Sequence, residues 1–218
     1  MTPSKLSPSS LSLMKECPRC FWLTQHKVWK RPAGIFPSLP SGMDGILKKH
    51  FESFAKQGIL PPELCKGDEC ARLKLFDDFK KLEKWQNNRI GIQFKDKDGN
   101  LLRGAVDYLL VQTLNEKLIV IDYKTRGFPL KEDTAAHYQD QLDIYNFLLR
   151  KNGYKTEDFA FLLFYIPKEI LPTGEVIFDT ELKRMNIDVG NAEKIWKKAI
   201  ALLDGDCPDK MCVWCEGV

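Results

Sequence analysis

The sequence predicts an α/β fold: a mixed central sheet that opens with an antiparallel meander and is flanked by helices. Three observations carry that expectation. Residues 101–125, LLRGAVDYLLVQTLNEKLIVIDYKT, read as two apolar, β-branched runs (101–111 and 117–124) joined by a polar break, a hairpin with a loop longer than two residues. Residues 159–166, FAFLLFYI, are apolar without interruption, the pattern of a central strand covered on both faces. Around them, apolar residues recur at helical spacing, as at Tyr138, Leu142, Tyr145 and Leu149.

Taken in order, Ser7-Pro8 offers a hydroxyl cap and a first-turn proline for an opening helix. The segment Cys17-Pro18-Arg19-Cys20 interrupts that helix, because a proline inside it removes a donor and clashes with the preceding turn. Residues 30–42, with three prolines and two glycines, read as a loop. Helical spacing resumes over 44–54 (Leu47, Phe51, Phe54) and again over 71–86 (Leu73, Phe76, Phe79, Leu82). Residues 89–94 read as the first strand, 96–100 as a turn, and the hairpin follows, giving three consecutive antiparallel strands. Helices are expected over 134–149 and 191–203, with an edge strand at 175–179 between them.

At 218 residues the chain can bury one full core. No run approaches membrane-spanning length and the first residues lack an apolar signal core, so a cytoplasmic protein without membrane contact is expected. A net charge of +3 does not by itself announce nucleic acid. Local clusters at Lys27/Lys30/Arg31, Lys48/Lys49, Lys80/Lys81/Lys84 and Lys194/Lys197/Lys198 include one or two candidates for a DNA path, the rest being solvated faces.

Each arm of the hairpin carries an acid that an apolar strand should not tolerate, Asp107 and Asp122. Folding the hairpin near 114–115 sets the two opposite each other, with Cβ atoms about 4.5–5.5 Å apart. Lys124, two residues on, shares the face of Asp122. Two carboxylates that close either take up a proton or hold a cation. Hard oxygen ligands suit Mg²⁺ or Mn²⁺, and an ammonium beside them can stabilise a phosphate or the attacking water. A solvent-facing acid pair on an edge hairpin is the plainer alternative.

Asp107…Asp122-Tyr123-Lys124 resembles the signature of the PD-(D/E)XK nucleases in their RecB-like branch, which includes AddB-type helicase–nuclease domains and CRISPR-associated RecB-like exonucleases. Gly104-Ala-Val-Asp107 is similar to that branch's Gly-x-x-Asp, Gln141-Leu-Asp-Ile-Tyr145 to its Gln-x-x-x-Tyr, and Leu6-Ser-Pro-Ser-Ser…Cys17-Pro to its opening. The resemblance implies a restriction-endonuclease-like core at 42–204, with a cysteine-bearing helical segment at 1–41 and a cysteine cluster at 205–218. It also implies catalytic roles for Asp107, Asp122, Lys124, Gln141 and Tyr145. The branch places a further metal ligand, usually a histidine in His-x-x-Leu, on the helix now read over 44–54. His50 has the residue type but the wrong spacing from Gly42 or Gly45, whereas Asp44-x-x-Leu47 has the register and a hard-ligand carboxylate. Asp44 is favoured.

Seven cysteines without an export signal point to thiol or metal chemistry rather than disulfides. Cys17-x-x-Cys20 and Cys212-x-x-Cys215 form two pairs that could share one tetrahedral Zn²⁺ and tie the chain ends together. The resemblance implies instead a [4Fe–4S] cluster held by Cys17, Cys207, Cys212 and Cys215. Cys65 and Cys70 read as ordinary thiols.

The resulting expectation is a Mg²⁺- or Mn²⁺-dependent deoxyribonuclease, and by family habit an exonuclease acting on single strands or DNA ends in repair, recombination or CRISPR adaptation. A helicase or a CRISPR adaptation protein is the kind of partner implied. The alternative is a non-catalytic module that binds nucleic acid or a protein on the same fold.

Overall fold

A computed structural model describes residues 3–65 and 70–218. The chain opens with a short strand, β1 (Lys5–Leu6), and the capped helix α1 (Pro8–Glu16). Ser7 and Ser10 exchange side-chain-to-backbone hydrogen bonds across the first turn of α1, satisfying donors that a helix start leaves open. The chain turns extended at Cys17, and α2 (Pro18–Gln25) starts at the proline that stopped α1. Helix α3 (Ser38–Gln57) begins well ahead of the predicted position 44, within the expected loop. Pro40 falls in its first turn, where a missing N–H costs no hydrogen bond. Gly58 ends α3 with φ 69°, a left-handed backbone that a glycine adopts freely.

Next come β2 (Leu73–Leu75) and α4 (Phe79–Gln86), where the sequence had suggested one helix over 71–86. Leu73 and Leu75 are buried on the sheet while Lys74 is exposed, and β2 pairs antiparallel with the strand that follows residue 107. Asp78 caps α4 by accepting the Lys81 N–H at 3.0 Å. Then follow β3 (Ile92–Lys95), β4 (Leu101–Gly104), β5 (Tyr108–Gln112) and β6 (Leu118–Thr125). The expected meander is split here. β4 pairs with β3 and, in parallel, with β1, whereas β5 joins a second sheet. The crossing lies at residues 105–107, and α4 supports it. Trp85 accepts the Val106 N–H at 3.2 Å, and the Gln86 amide donates to the Asp107 carbonyl at 2.6 Å.

After a 3₁₀ turn (Ala135–Tyr138) come α5 (Gln139–Lys151), β7 (Phe159–Ile170), β8 (Val176–Asn186) and α6 (Val189–Asp204). The larger sheet has the order β2-β5-β6-β7-β8, with β6 and β7 parallel and the other pairs antiparallel. The fold is therefore mixed α/β, as the sequence predicts.

Strand alternation sorts the side chains into two cores. Leu109, Val111, Leu118, Val120, Leu162 and Phe164 pack toward α1, α5 and α6, while Tyr108, Leu110, Ile119, Ile121 and Phe161 pack beneath α3. Phe51 of α3, fully buried, stacks its ring 5.4 Å from Tyr108 and 5.2 Å from Tyr123. Truncating it to alanine should cost about 3–5 kcal/mol. Among the described residues, no helix is long and apolar enough to cross a membrane.

Candidate metal centres

The register of β5 and β6, Tyr108 opposite Ile121, extends by one step to set Asp107 across from Asp122. Asp107 stands just before β5 and Asp122 within β6, on the face that packs toward α5. Asp122 is only 1% exposed. Its Oδ2 finds no hydrogen bond of good geometry, although the ammonium of Lys124 forms an ion pair with it. Asp107 keeps a partly exposed edge, and its Oδ2 accepts the Tyr123 N–H at 3.0 Å. The Tyr123 hydroxyl donates to the Asp107 carbonyl at 3.2 Å, so the tyrosine of the Asp-Tyr-Lys triplet holds Asp107 at both ends.

Burial, reinforced by the Asp122 charge, pushes the Asp107 carboxyl well above the usual carboxylate range; Lys124 opposes the shift and Asp44 adds to it. Burial pulls the other way on Lys124, but the two carboxylates outweigh it and the ammonium is held above its ordinary value. The site is thus a desolvated acid pair with one partly covered lysine, 19% exposed, in contact with it, and the Asp44–Lys48 pair farther out adding a carboxylate as well as a cation. Such an arrangement lacks positive charge, which a divalent ion would supply.

Helix α5 reaches Lys124 through Gln141. The Lys124 ammonium donates to Gln141 Oε1 at 3.1 Å, and the Gln141 amide donates to the Tyr145 hydroxyl at 2.7 Å. Lys124 also lies 4.9 Å from the Tyr138 ring centroid. Gly104 permits this closeness: a Cβ there would stand 2.8 Å from Tyr145 Cε1. His137 falls in the 3₁₀ turn and meets Asp133 at 3.6 Å. Tyr138 read from the sequence only as a core position of the helix, and Gln86 was not singled out. Tyr138 lies three residues before Gln141, a spacing that could have found it, while Gln86 left no local trace.

The two residues considered on α3 separate. Asp44 pairs with Lys48 at 2.7 Å, and both are close enough to act on the Asp107 charge. His50 Nε2 donates to Glu63 Oε1 at 2.8 Å, and the same oxygen accepts the Tyr165 hydroxyl at 2.6 Å. Its ring packs against Phe51 and Phe54. His50 therefore sits in a separate polar contact between α3, the 62–64 turn and β7.

At the other end of the molecule, Cys17, Cys20, Cys212 and Cys215 bring their four sulfurs within 4.8 Å of one another, joining the two ends of the chain. The Sγ–Sγ distances are 3.8 Å for Cys17–Cys215, 3.5 Å for Cys20–Cys212 and 3.8 Å for Cys212–Cys215. Four thiolates about 2.3 Å from one ion at tetrahedral angles would stand about 3.8 Å apart, so this set fits a single metal ion. A cubane, in which each thiolate binds a different iron, would space the sulfurs more widely.

In each pair a backbone N–H points at a sulfur, Cys20 N to Cys17 Sγ at 3.4 Å and Cys212 N to Cys215 Sγ at 3.3 Å. Burial pushes the Cys20 thiol up to about 12 and raises Cys17, while the Trp214 N–H leads the groups that lower Cys212 to about 6. Cys207 stays outside the four; its sulfur accepts from the Arg19 guanidinium at 3.4 Å. Cys65 and Cys70 lie elsewhere, Cys70 in the core beneath α3.

A hairpin bearing opposed carboxylates and a lysine two residues on, backed by a parallel strand and a glutamine-bearing helix, defines a nuclease-type core. Residues 66–217, well over half of the chain, match the family model for the PD-(D/E)XK nuclease superfamily, and the chain belongs to that superfamily. Membership implies a nucleic-acid substrate and a metal-dependent hydrolase. No curated protein matches the chain.

Proposed function

We propose that the protein is a metal-dependent deoxyribonuclease of the RecB-like branch, hydrolysing phosphodiester bonds in single strands or at DNA ends. The observation that carries this reading is the shared placement of Asp107, Asp122 and Lys124 on one sheet face, with too little positive charge for two close acids. Asp107 and Asp122 would hold Mg²⁺ or Mn²⁺, and Asp44 on α3 supports them as the third carboxylate. A bound divalent ion supplies Lewis-acid stabilisation of charge on the phosphoryl oxygens and the leaving oxygen.

Lys124 orients the attacking water and offers its charge to the phosphate as negative charge builds there. Gln141 fixes the lysine head by accepting a hydrogen bond from its ammonium, and Tyr145 fixes Gln141 in turn. Asp122, buried and ion-paired, keeps Lys124 protonated.

For the cysteine site, the sulfur spacing supports one Zn²⁺ on Cys17, Cys20, Cys212 and Cys215 over a [4Fe–4S] cluster that would include Cys207. Its role is structural, clamping α1 and α2 to the C-terminal turn after α6.

Cleavage of end-labelled single- and double-stranded DNA, with closed circles alongside, tests the reading in Mg²⁺, in Mn²⁺ and with both omitted. Omission is preferable to chelation, because a chelator would also attack the thiolate site. Metal-dependent loss of linear DNA that Lys124→Ala lacks supports the nuclease, and surviving circles identify an exonuclease. Folded, metal-replete protein that cleaves nothing but binds DNA would make it a binding module.

A further inference from the structure

A cleft of about 290 Å³ opens beside Gln141 and Tyr145, walled by Ser7, Ser9, Asn88 and Arg103. Its position is defined by the two α5 residues that brace Lys124, so it begins one side chain away from the acid pair. Gly91 and Gly104 contribute backbone to its lining, beside Pro8 and Ala105. Gly91 has φ 60°, and a Cβ on it would stand 2.4 Å from the Gly104 carbonyl oxygen, so β3 and β4 meet here without side chains between them.

The charge of this cleft sets it apart from others of similar size. The clefts of about 420, 400, 390 and 440 Å³ all include carboxylates, among them Asp204, Glu83, Glu193 and Asp158. The one beside Gln141 has no carboxylate in its lining; the Arg103 guanidinium is its charged group, and hydroxyls and amides supply its other polar side chains. Arg103 is aimed by a 2.6 Å hydrogen bond from Nη1 to the Arg89 carbonyl, which occupies one of its five donors.

We propose that this cleft is a phosphate subsite that seats one nucleotide of the substrate strand next to the bond being cut. The proposal rests on the nuclease reading above and adds the residues that position the strand. Arg103 donates to the phosphate oxygens, and Asn88 and the Ser9 hydroxyl complete the polar wall. The same chemistry serves an internal phosphodiester or a terminal phosphate, and the choice between them decides whether the cleft tracks a strand or reads its end.

Binding of a fluorescein-labelled single strand to the Lys124→Ala protein in Mg²⁺, followed by anisotropy over a NaCl series, reads the subsite without turnover. Arg103→Gln should weaken binding about tenfold, the worth of one charge-assisted hydrogen bond. It should also flatten the slope of log K against log salt by about 0.7, one phosphate contact on a single strand. Arg103→Lys should restore the slope, a rescue that a merely structural role would not give. In cleavage assays with Lys124 intact, Arg103→Gln should raise KM by a similar factor and leave kcat nearly unchanged.

Should Arg103→Gln lower the melting temperature, Ser9→Asp at an exposed position carries the same test by putting a repelling charge in the cleft. A penalty that vanishes on 5′-hydroxyl ends identifies a terminal phosphate, and one that persists identifies an internal phosphodiester; both support the subsite. Unchanged affinity and salt slope in both variants would overturn it, even if the native chain cleaves DNA. Absence of cleavage by the native chain would instead remove the catalytic reading, with the binding series still deciding on the cleft.

Discussion

The chain carries two candidate metal centres built on opposite principles. The oxygen site gathers Asp107, Asp122 and Lys124 from one hairpin, neighbours in sequence that a strand register places together. The sulfur site gathers two Cys-x-x-Cys turns from opposite ends of the chain, nearly two hundred residues apart. At the oxygen site the protein leaves its charges unbalanced, with burial and Asp122 raising Asp107 against the opposing pull of Lys124 and Lys48. At the sulfur site the geometry is closed, with four sulfurs near the spacing of one tetrahedral ion and no fifth ligand among the described residues. An open, under-compensated site suits a metal that must meet substrate; a closed one suits a metal that holds the fold.

The largest effects should come from breaking the closed site. Metal bound there is folding free energy, of the order of 10 kcal/mol for structural zinc. Cys212→Ser or Cys17→Ser should lose the metal and lower the melting temperature steeply, whereas Cys207→Ser should keep both. Elemental analysis alongside melting curves checks this, and metal loss in Cys207→Ser would move the ligand set toward a cluster. Next in size is Lys124→Ala at the open site, expected to lower kcat about a thousandfold while DNA binding survives. Here the melting temperature should hardly move once Mg²⁺ is present, since the ion takes over the lysine's charge. A folded, fully active Lys124→Ala protein would sink the catalytic assignment.

A smaller effect separates the two residues on α3. Asp44→Asn should weaken Mg²⁺ binding and lower cleavage about tenfold to a hundredfold, in line with loss of one ligand or its support. His50→Ala should leave the Mg²⁺ dependence alone and instead cost about 1–2 kcal/mol of stability, because Glu63 loses one of its two partners. Titrating Mg²⁺ against cleavage rate for both variants decides; the opposite pattern would hand the ligand role to His50.

The same contrast explains what could be read from the sequence. The opposition of Asp107 and Asp122 was legible because a hairpin's midpoint fixes its register locally, and the two Cys-x-x-Cys pairs because tight metal-binding turns carry their own spacing. The split of the run 101–111 between two sheets was not legible. Both halves are apolar, and the switch at 105–107 is held by Trp85 and Gln86 from a helix some twenty residues upstream. Strand β2 was hidden differently: Leu73, Phe76, Phe79 and Leu82 repeat every third residue, and three residues are too few for strand alternation to outvote that helical spacing. Helix α3 ran longer than predicted because prolines and glycines in 30–42 argued for a loop, although Pro40 falls where a helix tolerates it. Gln141 was visible by its spacing from Tyr145, but only the packing of α5 over Gly104 shows what it holds.

The smallest expected effect is a pH dependence, and it would sharpen the comparison most, because only the open site should show it with Mg²⁺. Asp107 binds its proton more tightly folded than unfolded. Between the unfolded value of 3.8 and the raised folded value, the native chain therefore holds a proton that the unfolded chain has released. Stability without Mg²⁺ should be fullest below that window and fall as pH rises through it, by at most about 1.4 kcal/mol per pH unit for one proton. Mg²⁺ competes with the proton and favours the carboxylate, so its stabilisation should grow with pH across the same window. Asp107→Asn removes the proton and the ligand together, and should abolish both the slope and the Mg²⁺ response. Melting temperatures over a pH series, with Mg²⁺ present or omitted and the thiolate site left loaded, measure this directly. A Mg²⁺ response that survives in Asp107→Asn would mean that Asp107 is buried for packing, and that the ion is held elsewhere.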